Sequence, residues 1–169
     1  MDFRTLYLEL VDSTGMIQSL LAGITEDEAR IKPAPDSWSI LETLCHLYDE
    51  ERQDFRPRLQ FILGRAEGTW PPIHPDAWVT ERRYNEQRLR TVKDKFFAER
   101  SRSLDWLRGV ADSDWEAGYV ADSRGLRAGD IFASWIAHDN LAIRQLVELR
   151  RARLESITQP YSIAYAGDW

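Results

Sequence analysis

The sequence contains a single cysteine, Cys45, among its 169 residues. One thiol cannot form a disulfide within the chain, so packing and polar contacts have to stabilise the fold. Long hydrophobic runs are also missing, because no stretch reaches the roughly 18 apolar residues of a membrane-spanning helix. Residues 1–4 lack the basic and then apolar pattern of a secretory signal. We therefore expect a cytoplasmic protein without a membrane partner.

The chain also lacks an excess of basic residues. Lys and Arg number 22 against 28 Asp and Glu, which gives a net charge of −6. A nucleic-acid-binding protein needs a concentrated basic surface, so nucleic acid is not an expected partner. The arginines of residues 82–90 are interrupted by Glu81 and Glu86, a pattern typical of a solvated helix face. The acidic run Glu50–Glu51 is predicted to lie on a solvated face for the same reason.

Apolar residues recur at helical spacing in four long segments. Ser39 and Glu42 form a capping-box pattern at the start of the second segment, and Pro57 is expected to kink it. A short helical turn is predicted near residues 25–28, a loop over 64–79 and an irregular segment over 118–129. The predicted long helices cover residues 3–22, 39–63, 81–110 and 130–154.

These elements predict an all-α four-helix bundle with a short extra helical turn and an irregular segment before the last helix. No repeat, low-complexity tract or flexible linker divides the chain. A length of 169 residues suits one domain with a substantial core. We therefore predict a single domain over residues 1–169.

Two histidines, His46 and His138, are the main candidates for chemistry. Each belongs to a polar or mixed stripe of its helix, at spacings of three and four residues. The stripes consist of Glu42, His46, Asp49 and Gln53 on the second helix and of Ile131, Trp135, His138, Ala142, Gln145 and Leu149 on the fourth. Neutral imidazole is a good ligand for zinc, nickel or iron, so the two residues are metal ligands if the helices face each other. If they do not, both are ordinary surface or hydrogen-bonded structural histidines.

A third ligand and a pocket can also be sought in the sequence. Asp49 and Glu50 lie one turn beyond His46, and a set of two histidines and one carboxylate is a known metal environment. His74 lies on a proline-rich loop that can fold over the cleft. Asp49 or His74 is the preferred third ligand. Cys45 cannot form a catalytic dyad with His46, because neighbouring helical side chains diverge by about 100°. The residues expected to line a pocket are Trp38, Trp78, Trp135 and Gln145.

The order and spacing of several short motifs resemble the DinB/YfiT-like family. The first is Pro-x-Pro-x-x-Trp-Ser-Ile-x-Glu-x-x-x-His-Leu over residues 33–47, followed by Asp49. Asp76-Ala77-Trp78 precedes the third predicted helix, and the fourth contains Ala137-His138-Asp139 and Arg144-Gln145. Each motif alone is weak, but together they cover nearly the whole chain.

This resemblance implies a four-helix bundle that holds a divalent metal with one histidine on the second helix and two on the fourth. His46 and His138 match two of these ligands, whereas Ala142 stands where the third is expected. The resemblance further implies a homodimer and an enzyme of the thiol S-transferase or hydrolase type, with nickel, zinc or iron and a low-molecular-weight thiol or another small molecule. The alternative is a metal-free, non-catalytic bundle that serves as a small-molecule-binding or interaction module.

Overall fold

The computed structural model describes residues 2–70, 72–119 and 125–167. Its long helices form the predicted four-helix bundle, in which α1 packs mainly against α6 and α2 packs against α5 and α6. No helix in these ranges is both long enough and apolar enough to cross a membrane. The helices are α1 Phe3–Leu20, α2 Ile40–Glu50, α3 Arg56–Leu63, α4 Pro75–Glu81, α5 Leu89–Gly109 and α6 Ala128–Ile157.

The second long helix of the bundle is made of α2 and α3, which are joined by a π-helical turn over Glu51–Phe55. Pro57 lies in the first turn of α3. Proline has no N–H to donate to the preceding turn, so the predicted irregularity falls where the hydrogen-bond pattern changes. π-Helical turns within α-helices are frequent at functional sites.

Two elements differ from the predictions by more than a few residues. The segment predicted as a loop contains α4, because Pro75 is favourable at a first helical position. The third long helix begins at Leu89 instead of residue 81, because Arg83 has φ 48° and interrupts the helical backbone. In the irregular segment, an isolated antiparallel bridge pairs Gly118 with Arg127. The predicted irregular stretch also includes residues 120–124, which lie outside the described ranges.

The apolar stripes predicted from helical spacing form the core. Two clusters fill the interior, one centred on α2 and α5 and the other between α1, α3 and α6. Residues of the predicted stripes that are almost completely buried include Leu10, Ile17, Leu21, Ile40, Leu44, Leu47, Ile62, Leu89, Val92, Phe96 and Leu107.

A charged network lies between the two apolar clusters. The guanidinium of Arg100 is bidentate to Asp139, with Nη1–Oδ2 2.6 Å and Nη2–Oδ1 2.9 Å. The same group contacts both oxygens of Glu51 at 2.9 Å. Ser13 Oγ donates to Asp139 Oδ2 at 2.5 Å, and Trp135 Nε1 donates to Glu51 Oε2 at 3.0 Å. These contacts join all four long helices of the bundle.

The prediction that Glu50 and Glu51 lie on a solvated face is therefore wrong. Their exposed fractions are 5% and 1%. Arg100 stabilises the Glu51 carboxylate inside the bundle, and charge-assisted hydrogen bonds of this kind are stronger than neutral ones. Arg100 comes from a different helix, α5, so local charge patterning did not indicate the pairing.

Replacement of Arg100 by Met is expected to destabilise the protein by roughly 3–5 kcal/mol, because it leaves Glu51 and Asp139 buried without a counter-charge. The measurement is urea denaturation followed by circular dichroism. Arg102→Met is the matched control, since Arg102 has a 73% exposed side chain that pairs with Glu99. The control should lose less than about 1 kcal/mol. Equal losses in both variants would contradict a special role for the buried network.

Glu28 connects the segment before α2 to the last helix. Its carboxylate accepts hydrogen bonds from Thr25 N at 2.9 Å and from Arg153 Nε at 2.7 Å. These contacts lower the pKa of Glu28 from 4.5 to about 2, and the hydrogen bond from the Thr25 backbone has the largest effect. The carboxylate is therefore bound more favourably in the folded protein than in the unfolded chain.

A lowered carboxyl pKa stabilises the fold above the unfolded value, and the stabilisation disappears as the pH falls through the folded value. Glu28→Gln should therefore lower the unfolding midpoint at pH 7 by a margin that shrinks between about pH 4.5 and pH 2. Thermal unfolding at a series of pH values measures this margin. The same substitution at the exposed Glu9 serves as control and should show no such trend. A margin for Glu28→Gln that is independent of pH would argue against the ionic contact.

Candidate metal centre

The bundle brings His46 of α2 and His138 of α6 into contact across 92 positions of sequence. Their Nε2 atoms are 3.1 Å apart, and their ring centroids are 5.1 Å apart. The two helices therefore face each other, which is the condition on which the metal interpretation depended.

Local structure fixes both histidines. At the start of α2, Ser39 Oγ accepts from Glu42 N at 3.1 Å and Glu42 Oε2 accepts from Ser39 N at 2.8 Å, as the capping-box pattern predicted. At α6, His138 directly precedes Asp139, whose carboxylate is held by Arg100. A capped helix start and a buried ion pair thus set the positions of the two imidazoles.

Aromatic rings shield the histidine pair from water. The ring centroids of Trp38 and His46 are 4.9 Å apart in an edge-on arrangement. Those of Phe55 and His138 are 5.3 Å apart. Burial, with a smaller effect of His138, lowers the pKa of His46 from 6.5 to about 4. Burial also lowers the pKa of His138. Both imidazoles are consequently neutral at neutral pH, the state in which imidazole binds metal.

The separation of the two nitrogens fits a shared ion. Two nitrogens that bind one metal at about 2.0–2.1 Å are roughly 2.9 Å apart at a right angle and roughly 3.3–3.4 Å apart at the tetrahedral angle, so 3.1 Å lies between the two. The observed separation of Nε2 atoms is 3.1 Å. A hydrogen bond from one Nε2–H to the other Nε2 has the same length. The donor pair therefore suits both a bound metal and a metal-free state.

Glu50, which was considered beside Asp49 but not preferred as a third ligand, lies behind His46. Glu50 Oε1 is 4.0 Å from His46 Nδ1, and neither atom has a hydrogen-bond partner although both are buried. Burial, followed by the charge of Asp54, raises the pKa of Glu50 to about 8. Burial also raises the pKa of Asp54, against the opposing effect of Arg58. Glu50 follows His46 by four residues and Asp54 follows Glu50 by four. This helical spacing was the available signal, and an acidic run hid it.

Asp49 and His74, the residues preferred as third ligands, have other surroundings. The Asp49 carboxylate accepts from Tyr84 Oη at 2.7 Å and from Arg52 Nε at 3.1 Å, and it pairs with Arg82 Nη1 at 2.5 Å. His74 is exposed at the residue before α4. Ala142 is 5% exposed and offers no ligand. Over the described residues, no group of three or more His, Cys, Asp or Glu side chains is arranged to hold a metal.

Of the four residues expected to line a pocket, two do so together. Trp38 and Gln145 line a cleft of about 710 Å³ between residues 33–38 and the C-terminal half of α6. Trp78 and Trp135 instead lie in the core, with exposed fractions of 7% and 1%. Trp135 stacks on Phe55 at 5.8 Å and so supports the ring that contacts His138. Because Trp38 contacts His46, its indole separates the cleft from the histidine pair.

The fold and the site can be compared with known proteins. No curated protein sequence matches the chain significantly. Among solved structures, YfiT from Bacillus subtilis aligns with a TM-score of 0.75 over 88% of this chain and 86% of its own, at 14% identity. It is described as a probable metal-dependent hydrolase with an unusual four-helix bundle topology. The family model of the DinB superfamily matches residues 9–146, and the chain therefore belongs to the DinB superfamily.

Proposed function

We propose that this protein is a metal-dependent enzyme in which His46 and His138 bind a divalent transition metal, nickel, zinc or iron, in an incomplete site. The reaction is of the thiol S-transferase or hydrolase type. The observation that supports this proposal is the approach of the two Nε2 atoms to 3.1 Å inside an aromatic enclosure. The structural similarity to a probable metal-dependent hydrolase is consistent with it.

The residues of the chain have distinct parts in this proposal. His46 and His138 hold the ion, and Trp38 and Phe55 keep bulk water away from it. With two protein ligands, the remaining positions are left to water and substrate. A metal bound there would supply Lewis acidity, which lowers the pKa of a bound water or thiol. The cleft beside Trp38 and Gln145 has the size of a small-molecule site, such as one for a low-molecular-weight thiol.

The alternative function is a metal-free module that binds a small molecule or a partner protein. The buried Ala142 favours this alternative, since it offers no ligand one turn after His138. The histidine pair would then be a structural hydrogen bond between two neutral rings. A measurement of metal binding by the histidine pair therefore distinguishes the two proposed functions.

Protein produced without a histidine tag should contain near-stoichiometric nickel, zinc or iron, and a His46→Ala, His138→Ala double variant should contain almost none. The reason is that the two histidines are the proposed ligands, while the described residues contain no group of three or more His, Cys, Asp or Glu side chains that could hold the ion instead. Elemental analysis together with protein concentration measures the ratio. The thermal midpoint of the double variant confirms that it is folded. An equal, negligible metal content in both proteins would refute the enzyme proposal.

Ala142→His should increase the affinity for Ni²⁺ at least about 100-fold, because a third ligand adds more than the roughly 10–100-fold contributed by a residue behind a ligand. Residue 142 follows His138 by one turn on the same helix face. Isothermal titration calorimetry gives both affinity and stoichiometry.

Ala133→His is the matched control for this experiment, since Ala133 is exposed and lies on the opposite side of α6 from His138. It should leave the affinity unchanged. No gain in the Ala142→His variant would show that the paired histidines do not present a metal-binding geometry.

A further inference from the structure

Two unpartnered polar atoms face each other behind the histidine pair. His46 Nδ1 and Glu50 Oε1 are 4.0 Å apart, with side chains exposed by only 14% and 6%. Neither atom has a hydrogen-bond partner. Buried polar groups in native proteins are nearly always hydrogen-bonded, so two neighbouring exceptions on one helix face call for a physical explanation.

The gap between the two atoms is suited to a direct contact. A bridging water forms hydrogen bonds of about 2.8 Å to both neighbours and therefore separates them by roughly 4.5 Å. The observed 4.0 Å is shorter than that, and a side-chain shift of about 1 Å would bring the atoms to hydrogen-bond distance. Residues four apart on a helix are neighbours, so this shift needs no backbone movement.

The position of Glu50 is set by the residue that follows it. Glu51 is bound to Arg100 and Trp135, which fixes the backbone at the end of α2. The other nearby carboxylates are engaged elsewhere. Asp49 is bound to Tyr84 and Arg82. Asp54 is paired with Arg58 and also forms a hydrogen bond with the Glu50 carboxyl group. Glu50 is thus the carboxyl group that faces His46 Nδ1 with an uncommitted oxygen.

We infer that Glu50 is a positioning residue: it accepts a hydrogen bond from His46 Nδ1–H and thereby directs the Nε2 lone pair of His46 toward His138. In the metal-free protein, His138 Nε2–H then donates to His46 Nε2. When a metal binds, His46 already presents the nitrogen that serves as ligand. The effect on metal binding rests on the proposed function, whereas the tautomer of His46 is a property of the metal-free protein.

The first test is the tautomer of His46 in metal-free protein labelled with ¹⁵N-histidine, read from long-range ¹H–¹⁵N spectra. The wild type should show His46 protonated on Nδ1. Glu50→Gln retains an oxygen acceptor and should preserve this tautomer. Glu50→Leu has similar volume without an acceptor, and the Nδ1–H form should lose its predominance. Circular dichroism verifies that each variant is folded.

The second test is calorimetric titration of the same proteins with Ni²⁺. Glu50→Leu should bind about 10–100-fold more weakly than the wild type, while Glu50→Gln should change the affinity less than about 10-fold. Glu9→Leu removes one exposed surface charge and is the control for net charge. It should leave both the tautomer and the affinity unchanged.

The two tests can fail separately. Wild-type His46 protonated on Nε2 would overturn the inference whether or not Ni²⁺ binds, as would an Nδ1–H tautomer that persists in Glu50→Leu. If the Leu variant does not fold, the wild-type and Glu50→Gln tautomers still decide the question. Nδ1–H in the wild type, preserved in Glu50→Gln and without any Ni²⁺ binding, would support the Glu50 contact and refute the proposed metal function.

Discussion

The bundle depends on one buried cation. Arg100 is 1% exposed and lies between the carboxylates of Glu51 and Asp139. Two buried carboxylates without a counter-charge would be strongly destabilising, so the helices that carry them have to meet at Arg100. Thr14 Oγ1 accepts from the same guanidinium at 3.0 Å, which adds α1 to the contact. The network therefore links all four long helices at one buried point.

This constraint also reaches the candidate metal centre. Asp139 follows His138 in α6, and Glu51 follows Glu50 at the end of α2. The ion pairs that hold Asp139 and Glu51 thus fix the backbone of the residues that precede them. Trp135 and Phe55 lie between the charged network and the histidine pair. Their rings stack with centroids 5.8 Å apart, and the Phe55 ring also contacts the ring of His138. The charged network and the stacked rings thus support the histidine pair, which the Trp38 indole separates from the cleft.

Much of the fold was predictable because it rests on local patterns. The capping box at Ser39 and the apolar spacing of the long helices depend on neighbours within a few residues, and both were confirmed. The start of α5 was not predictable from periodicity, because it depends on the left-handed backbone at Arg83. Likewise, the three tryptophans were all expected to line a pocket, but only packing decided that Trp38 lines the cleft while Trp78 and Trp135 fill the core.

By itself, the sequence determined an all-α bundle of the DinB superfamily, the histidines available as ligands and the absence of a histidine at position 142. The tertiary structure decided which polar residues are buried. Glu50 and Glu51 have the pattern of a solvated acidic run, yet Arg100 and Trp135, about 50 and 84 positions away from Glu51, enclose the latter. Burial of a charge depends on partners from other helices, and that information is present only after the helices have packed.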